Sequence, residues 1–172
     1  MAELECGSDL SGLQLGCRGP AGVDDIYIGL YPTGYTGTNW ISQSGGIVTG
    51  ITGVTYYKFE VNQDASTATF NPKGANETFY AEHNITMLFS MLTVAARNEV
   101  MILGRHPKLS FIVKYSNEEY WMFGMDKGMR MIDSEGTTGT APGDFRGYTL
   151  NFSANEKELP WQVESAVLAA NI

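Results

Sequence analysis

Residues 82–124, EHNITMLFSMLTVAARNEVMILGRHPKLSFIVKYSNEEYWMFG, change hydrophobic period twice. His83, Ile85, Met87 and Phe89 recur at every second residue, the spacing of one face of a strand. From Ser90 the period lengthens, and Leu92, Ala96, Val100 and Leu103 fall within an arc of about 80° on a helix. Ser90 or Thr93 suits the N-cap and Gly104 followed by Pro107 suits the end, so a helix is expected over about 91–103. Glu99 falls on the same arc and breaks its apolar character, as a face shared with a partner allows. Beyond Pro107, Leu109, Phe111, Val113 and Tyr115 alternate with Ser110 and Lys114, and SNEE turns the chain into YWMFG as a hairpin. The core is expected to concentrate here.

Working outward, Ile26–Tyr31 is a short apolar run ended by Pro32 and the TGYTGT cluster. Tyr57, Phe59 and Val61 alternate with Lys58, Glu60 and Asn62, as in a half-buried strand. STATFNPKG is a weaker strand, stopped by Asn71 and Pro72, whose turn makes it an antiparallel neighbour of the strand through His83. Met129–Ile132 and the alternating Tyr148, Leu150 and Phe152 complete the set. About seven strands and one flanking helix predict a mainly β fold, an antiparallel sandwich or barrel. The expected layout is an N-terminal arm (1–22), a β domain (23–155) carrying a glycine-rich arm (134–147), and a C-terminal tail (156–172) readable as a short helix or an extended segment.

A chain of 172 residues suits one domain, and 43% hydrophobic residues are too many for a disordered one. The net charge of -8 disfavours gripping nucleic-acid phosphates, although a duct along which DNA slides without sticking favours acidic residues. With no run of eighteen apolar residues and no signal-like N-terminus, the product reads as soluble and made in the cytoplasm. Cys6 and Cys17 have no histidine between them and do not make a zinc pattern. In an oxidising setting they would close a short loop worth about 2–3 kcal/mol.

The segment EGTTGTAPGDFRGYTLNF (135–152) raises the question of phosphate binding, but it lacks the lysine of a phosphate-binding loop and leads into a strand. A glycine-rich loop of this length is better suited to ordering against a neighbour. His83 and His106 have no serine or cysteine at a triad's spacing. Asp126, Asp133, Glu135 and Asp144 lack EF-hand spacing and read as acidic turns. NET, NIT and NFS are formal glycosylation sequons without a secretion signal. Tyr56, Tyr57, Tyr120 and Trp121 would suit a sugar platform, yet in strands such residues are usually core or interface. No catalytic residue, metal or cofactor is expected.

The order YYKFEVNQ (56–63), then 82–128 ending in MDKG, then TGTAPGDFRGYTLNFSANEKELPW (138–161) resembles that of small virion proteins of tailed bacteriophages. It is similar to tail-tube and connector-ring proteins, particularly of phages infecting Bacteroidetes, the crAss-like phages among them. The resemblance implies a sandwich or barrel whose copies close by heterologous contacts into a hexameric or dodecameric ring. It implies portal, tail and neck proteins as further partners, DNA passing without specific binding, no membrane, and a place in the virion after assembly in the host cytoplasm. The expected assembly residues are Gly136, Gly139, Pro142, Gly143, Phe145 and, as an anchor in the C-terminal segment, Trp161. The alternative is a monomeric β-sandwich module binding a carbohydrate or a protein.

Overall fold

The computed structural model describes residues 20–62 and 65–172. Its elements in chain order are β1 (Val23–Leu30), β2 (Ile41–Ser44), β3 (Ile47–Ile51), β4 (Tyr56–Glu60), β5 (Thr67–Ala75), β6 (Thr78–Phe89), α1 (Val94–Arg105), β7 (Leu109–Tyr115), β8 (Tyr120–Phe123), β9 (Arg130–Thr137), β10 (Gly147–Glu156), β11 (Trp161–Val163) and α2 (Ser165–Ala169). They form a seven-stranded sheet, β2-β3-β11-β8-β7-β1-β4, and a four-stranded sheet, β5-β6-β10-β9. The fold is mainly β, a sandwich with a flanking helix; it is not a closed barrel.

Alternation explains the first core. Ile26 and Ile28 of β1, Phe111 and Val113 of β7 and Phe123 of β8 face Ile85, Met87 and Phe89 of β6 and Leu150 and Phe152 of β10. The Phe111 and Phe152 rings meet across the sandwich at 4.7 Å between centroids, tilted by 55°. The intervening residues build a second core on the outer face of the larger sheet. Tyr27, Ile112 and Met122 are buried there under Trp40, Val48, Val54, Trp161, Val167 and Leu168. Strands β1, β7 and β8 are thus covered on both faces, which is why FIV and WMF run continuously apolar.

The segment 156–172 is not a tail. Glu156 ends β10, and β11 lies between β3, to which it is parallel, and β8, to which it is antiparallel. The Tyr56 N–H donates to the Asn171 carbonyl (2.7 Å), fastening the last residues to β4. A second helix, α2, lids the second core through Val167 and Leu168.

Helix α1 begins three residues later than the periodicity suggested. Thr93 is the cap, its hydroxyl accepting from the Ala96 N–H (3.2 Å), while the Ser90 hydroxyl instead accepts from Asn62 (2.8 Å). Ala96 and Leu103 are buried and Val100 partly so, and Gly104 passes Met131 of β9. The helix therefore closes the β9 side of the sandwich.

One glycine is fixed by close approach. Gly147 opens β10 at φ 151°, and a Cβ there would stand 2.1 Å from the Phe89 carbonyl oxygen. Gly147→Ala is expected to lower stability by about 2 kcal/mol, read from the urea midpoint. An unchanged midpoint would mean that β6 and β10 do not meet so closely at this end.

Candidate assembly interface

The glycine-rich residues form the tip of a β-hairpin rather than a free arm. Residues 134–137 belong to β9, paired antiparallel with β10 from Thr137↔Gly147 to Ser134↔Leu150. Across the intervening loop, Asp144 accepts from the Thr140 N–H (2.9 Å), the Thr140 hydroxyl (2.8 Å) and the Ala141 N–H (2.7 Å). These donors, the two backbone groups first, hold its carboxyl below its ordinary range. Gly139 takes a positive φ where its α-carbon passes the Asp144 side chain, so the tip is ordered by its own hydrogen bonds.

Five of the expected interface residues lie on this hairpin. Gly136 is exposed in β9 against the Tyr148 ring, Pro142 and Gly143 are exposed at the tip, and Gly139 and Phe145 are half-buried. Asp144, Phe145 and Arg146 border an open hollow of about 440 Å³ whose other wall is Ser90–Thr93, at the start of α1. Trp161 does not join them. Its ring is 6% exposed in the second core and its Nε1 donates to Glu158 (2.7 Å), because β11 is an internal strand. Cys6, Cys17 and most of the expected N-terminal arm lie outside the described residues.

Two exposed apolar surfaces were not singled out from the sequence. The first is the far half of the β5–β6 hairpin, where residues 71–80 are all exposed and Phe79 is 60% so. Phe79 continues the alternation of Ala81 and His83, and that persistence past any core-covering partner was the available signal. The second is the outer face of α1, where Val94 is 74% exposed and Met101 and Ile102 are also exposed. Apolar residues opposite the buried arc of a surface helix are the corresponding signal.

Other candidate chemistry is dispersed. Tyr56 is buried and donates or accepts with Ser110 (2.8 Å), Tyr57 is exposed on the opposite face of β4, and Trp121 stacks against Tyr115, so the four aromatics make no common platform. His83 is fully buried: its Nε2 donates to the Glu158 carbonyl (3.0 Å), the Gly124 N–H points at Nδ1 (3.5 Å), and burial pushes its pKa down to about 4. His106 caps the end of α1. Asp126 pairs with Lys157 (3.6 Å), Asp133 and Glu135 stand exposed on β9, and Asp144 is occupied in the loop. Among the described residues no group of three or more His, Cys, Asp or Glu side chains is placed to hold a metal.

Glu156 is the buried carboxylate among the described residues. It accepts from the Asp126 N–H (3.0 Å) and the Lys127 N–H (3.1 Å), and burial outweighs these bonds to raise its pKa. Its bonds pin the turn between β8 and β9, a structural task. No helix among the described residues is long and apolar enough to cross a membrane. No family model, curated protein or solved structure matches this chain.

Proposed function

We propose that this chain is a non-enzymatic structural protein that assembles head to tail with copies of itself into a ring or tube. Following the resemblance of its sequence, we place that ring in the DNA conduit of a tailed-phage particle, as tail tube or neck–tail connector. One observation carries the reading: the exposed apolar surface stands at opposite edges of one sheet. The β5–β6 hairpin projects from one edge, while β9 and α1 occupy the other. A pair of unlike patches on opposite sides gives heterologous contacts, which close into rings or stack into tubes. The excess of 19 acidic over 11 basic residues suits a wall that DNA passes without adhering.

The test compares the full chain with a variant whose residues 138–146 are replaced by Asn-Gly, a two-residue turn joining Thr137 to Gly147. Mass photometry and negative-stain microscopy are expected to show rings or tubes for the full chain and fewer or none for the variant at equal folded content. A full chain that stays monomeric at every concentration overturns the reading. Assembly by both proteins would move the contact away from the glycine-rich loop.

A further inference from the structure

The two exposed apolar surfaces are complementary in kind. Phe79 lies on the strand face that carries Ala81 and His83 and is the large apolar residue of the projecting half on that face, while Phe70, paired opposite His83 at its base, packs against the Phe123 ring. On α1 the exposed Val94, Met101 and Ile102 form an apolar face without a partner among the described residues. Sheet edges are less suited to the contact. Pro72 removes a donor from β5, and β9 has a register shift opposite Leu150–Phe152, both devices that guard an edge against strand addition. Side chains are left to make the join.

Charge points to the same pairing. The arginines among the described residues are Arg97 and Arg105 on α1, Arg130 at the start of β9 and Arg146 beside the helix start. None of them makes an ion pair among the described residues, and Glu99 is the only carboxylate of the helix. On the hairpin Lys73 is neutralised by Glu82, and Glu77 at the turn makes no ion pair among the described residues. The acidic tip of the hairpin thus stands across the sheet from a helix that carries two arginines, Arg97 and Arg105, against one carboxylate, Glu99, whereas Arg130 and Arg146 are balanced locally by the exposed Asp133, Glu135 and Asp144.

We infer that the β5–β6 hairpin of one copy docks on the outer face of α1 of the next copy, Phe79 seating against Val94 and Met101 with Glu77 toward Arg97 and Arg105 of the helix. This inference rests on the head-to-tail assembly proposed above and names its contact. Aromatic anchors of this kind carry most of an interface's energy, while the charges set orientation.

The test uses the full chain in a Cys6→Ser, Cys17→Ser background. A protein carrying Phe79→Cys is mixed with one carrying Met101→Cys and joined by a short bismaleimide. Mixed dimers are expected to exceed both like-with-like products, and a Tyr57→Cys with Met101→Cys control, by about tenfold or more. In sedimentation velocity Phe79→Ser and Val94→Ser are each expected to weaken assembly by about tenfold or more; both sites are exposed, so folding is spared. Assemblies that form without an excess of the mixed product overturn this docking and leave self-assembly standing. Predominant 79–79 products would show a two-fold contact and overturn it as well. A cysteine-free chain that remains monomeric overturns both proposals.

Discussion

Trp161→Ala is expected to lower the free energy of unfolding by about 3–5 kcal/mol, the range for truncating a large buried aromatic. The indole is buried in the second core, where it borders a hollow lined by residues 36–39 and Met125, and its removal would open that hollow into the core. It would also free the Glu158 carboxylate that now accepts from Nε1. Urea titration of the variant against the parent measures the loss. If Trp161 instead served as an anchor for another subunit, the isolated chain would keep its midpoint while assembly alone failed. That outcome would contradict the internal placement of β11.

Acid is expected to destabilise the fold through His83. Burial pushes this imidazole down to about 4 from an ordinary 6.5, so between those values the unfolded chain binds a proton that the native chain refuses. Stability conferred by the neutral ring is complete above about pH 6.5 and is lost as the pH falls toward 4, by about 3 kcal/mol in all at roughly 1.4 kcal/mol per unit. Glu156 acts in the opposite sense. Its carboxyl is raised by burial, so its contribution is complete below the ordinary carboxylate value and is lost as the pH rises through the native one. The two are separated by a His83→Gln variant, which lacks the imidazole titration but keeps Glu156. The parent's stability should fall more steeply than the variant's from pH 6.5 to 4, and parallel curves would sink the assignment.

The structure shows which sequence signals were sufficient. Strand β6 and helix α1 were legible because each keeps one hydrophobic period against one core, and the β7–β8 hairpin because its alternation toward the first core brackets the polar SNEE turn. The extra apolar residues Ile112 and Met122 interrupt the alternation, and they mark a second buried face that the one-core reading left out. β11 has three residues, too few to display any period, and pairs with β3 more than a hundred residues away in sequence. Nothing local in LPWQV states that partner. In the glycine-rich loop, composition alone suggested an arm, whereas Asp144 folds it back with three hydrogen bonds. The hairpin tip had the reverse difficulty: alternation continues through Phe79 although the core ends at Ala81.

The sequence by itself determined the mainly β class, the helix between β6 and β7 and the presence of a turn-rich segment before β10, and it left an open sandwich and a barrel as equal alternatives. These follow from side-chain period, caps and turn residues, which act within a few positions of one another. Only the tertiary structure decided that the sheets form an open sandwich, that Trp161 is internal, that the last residues close a second core, and that no described residue covers Phe79 and Val94 at opposite edges. Burial depends on which distant strand lies across the sheet, and a local period records that a face is apolar without recording what covers it.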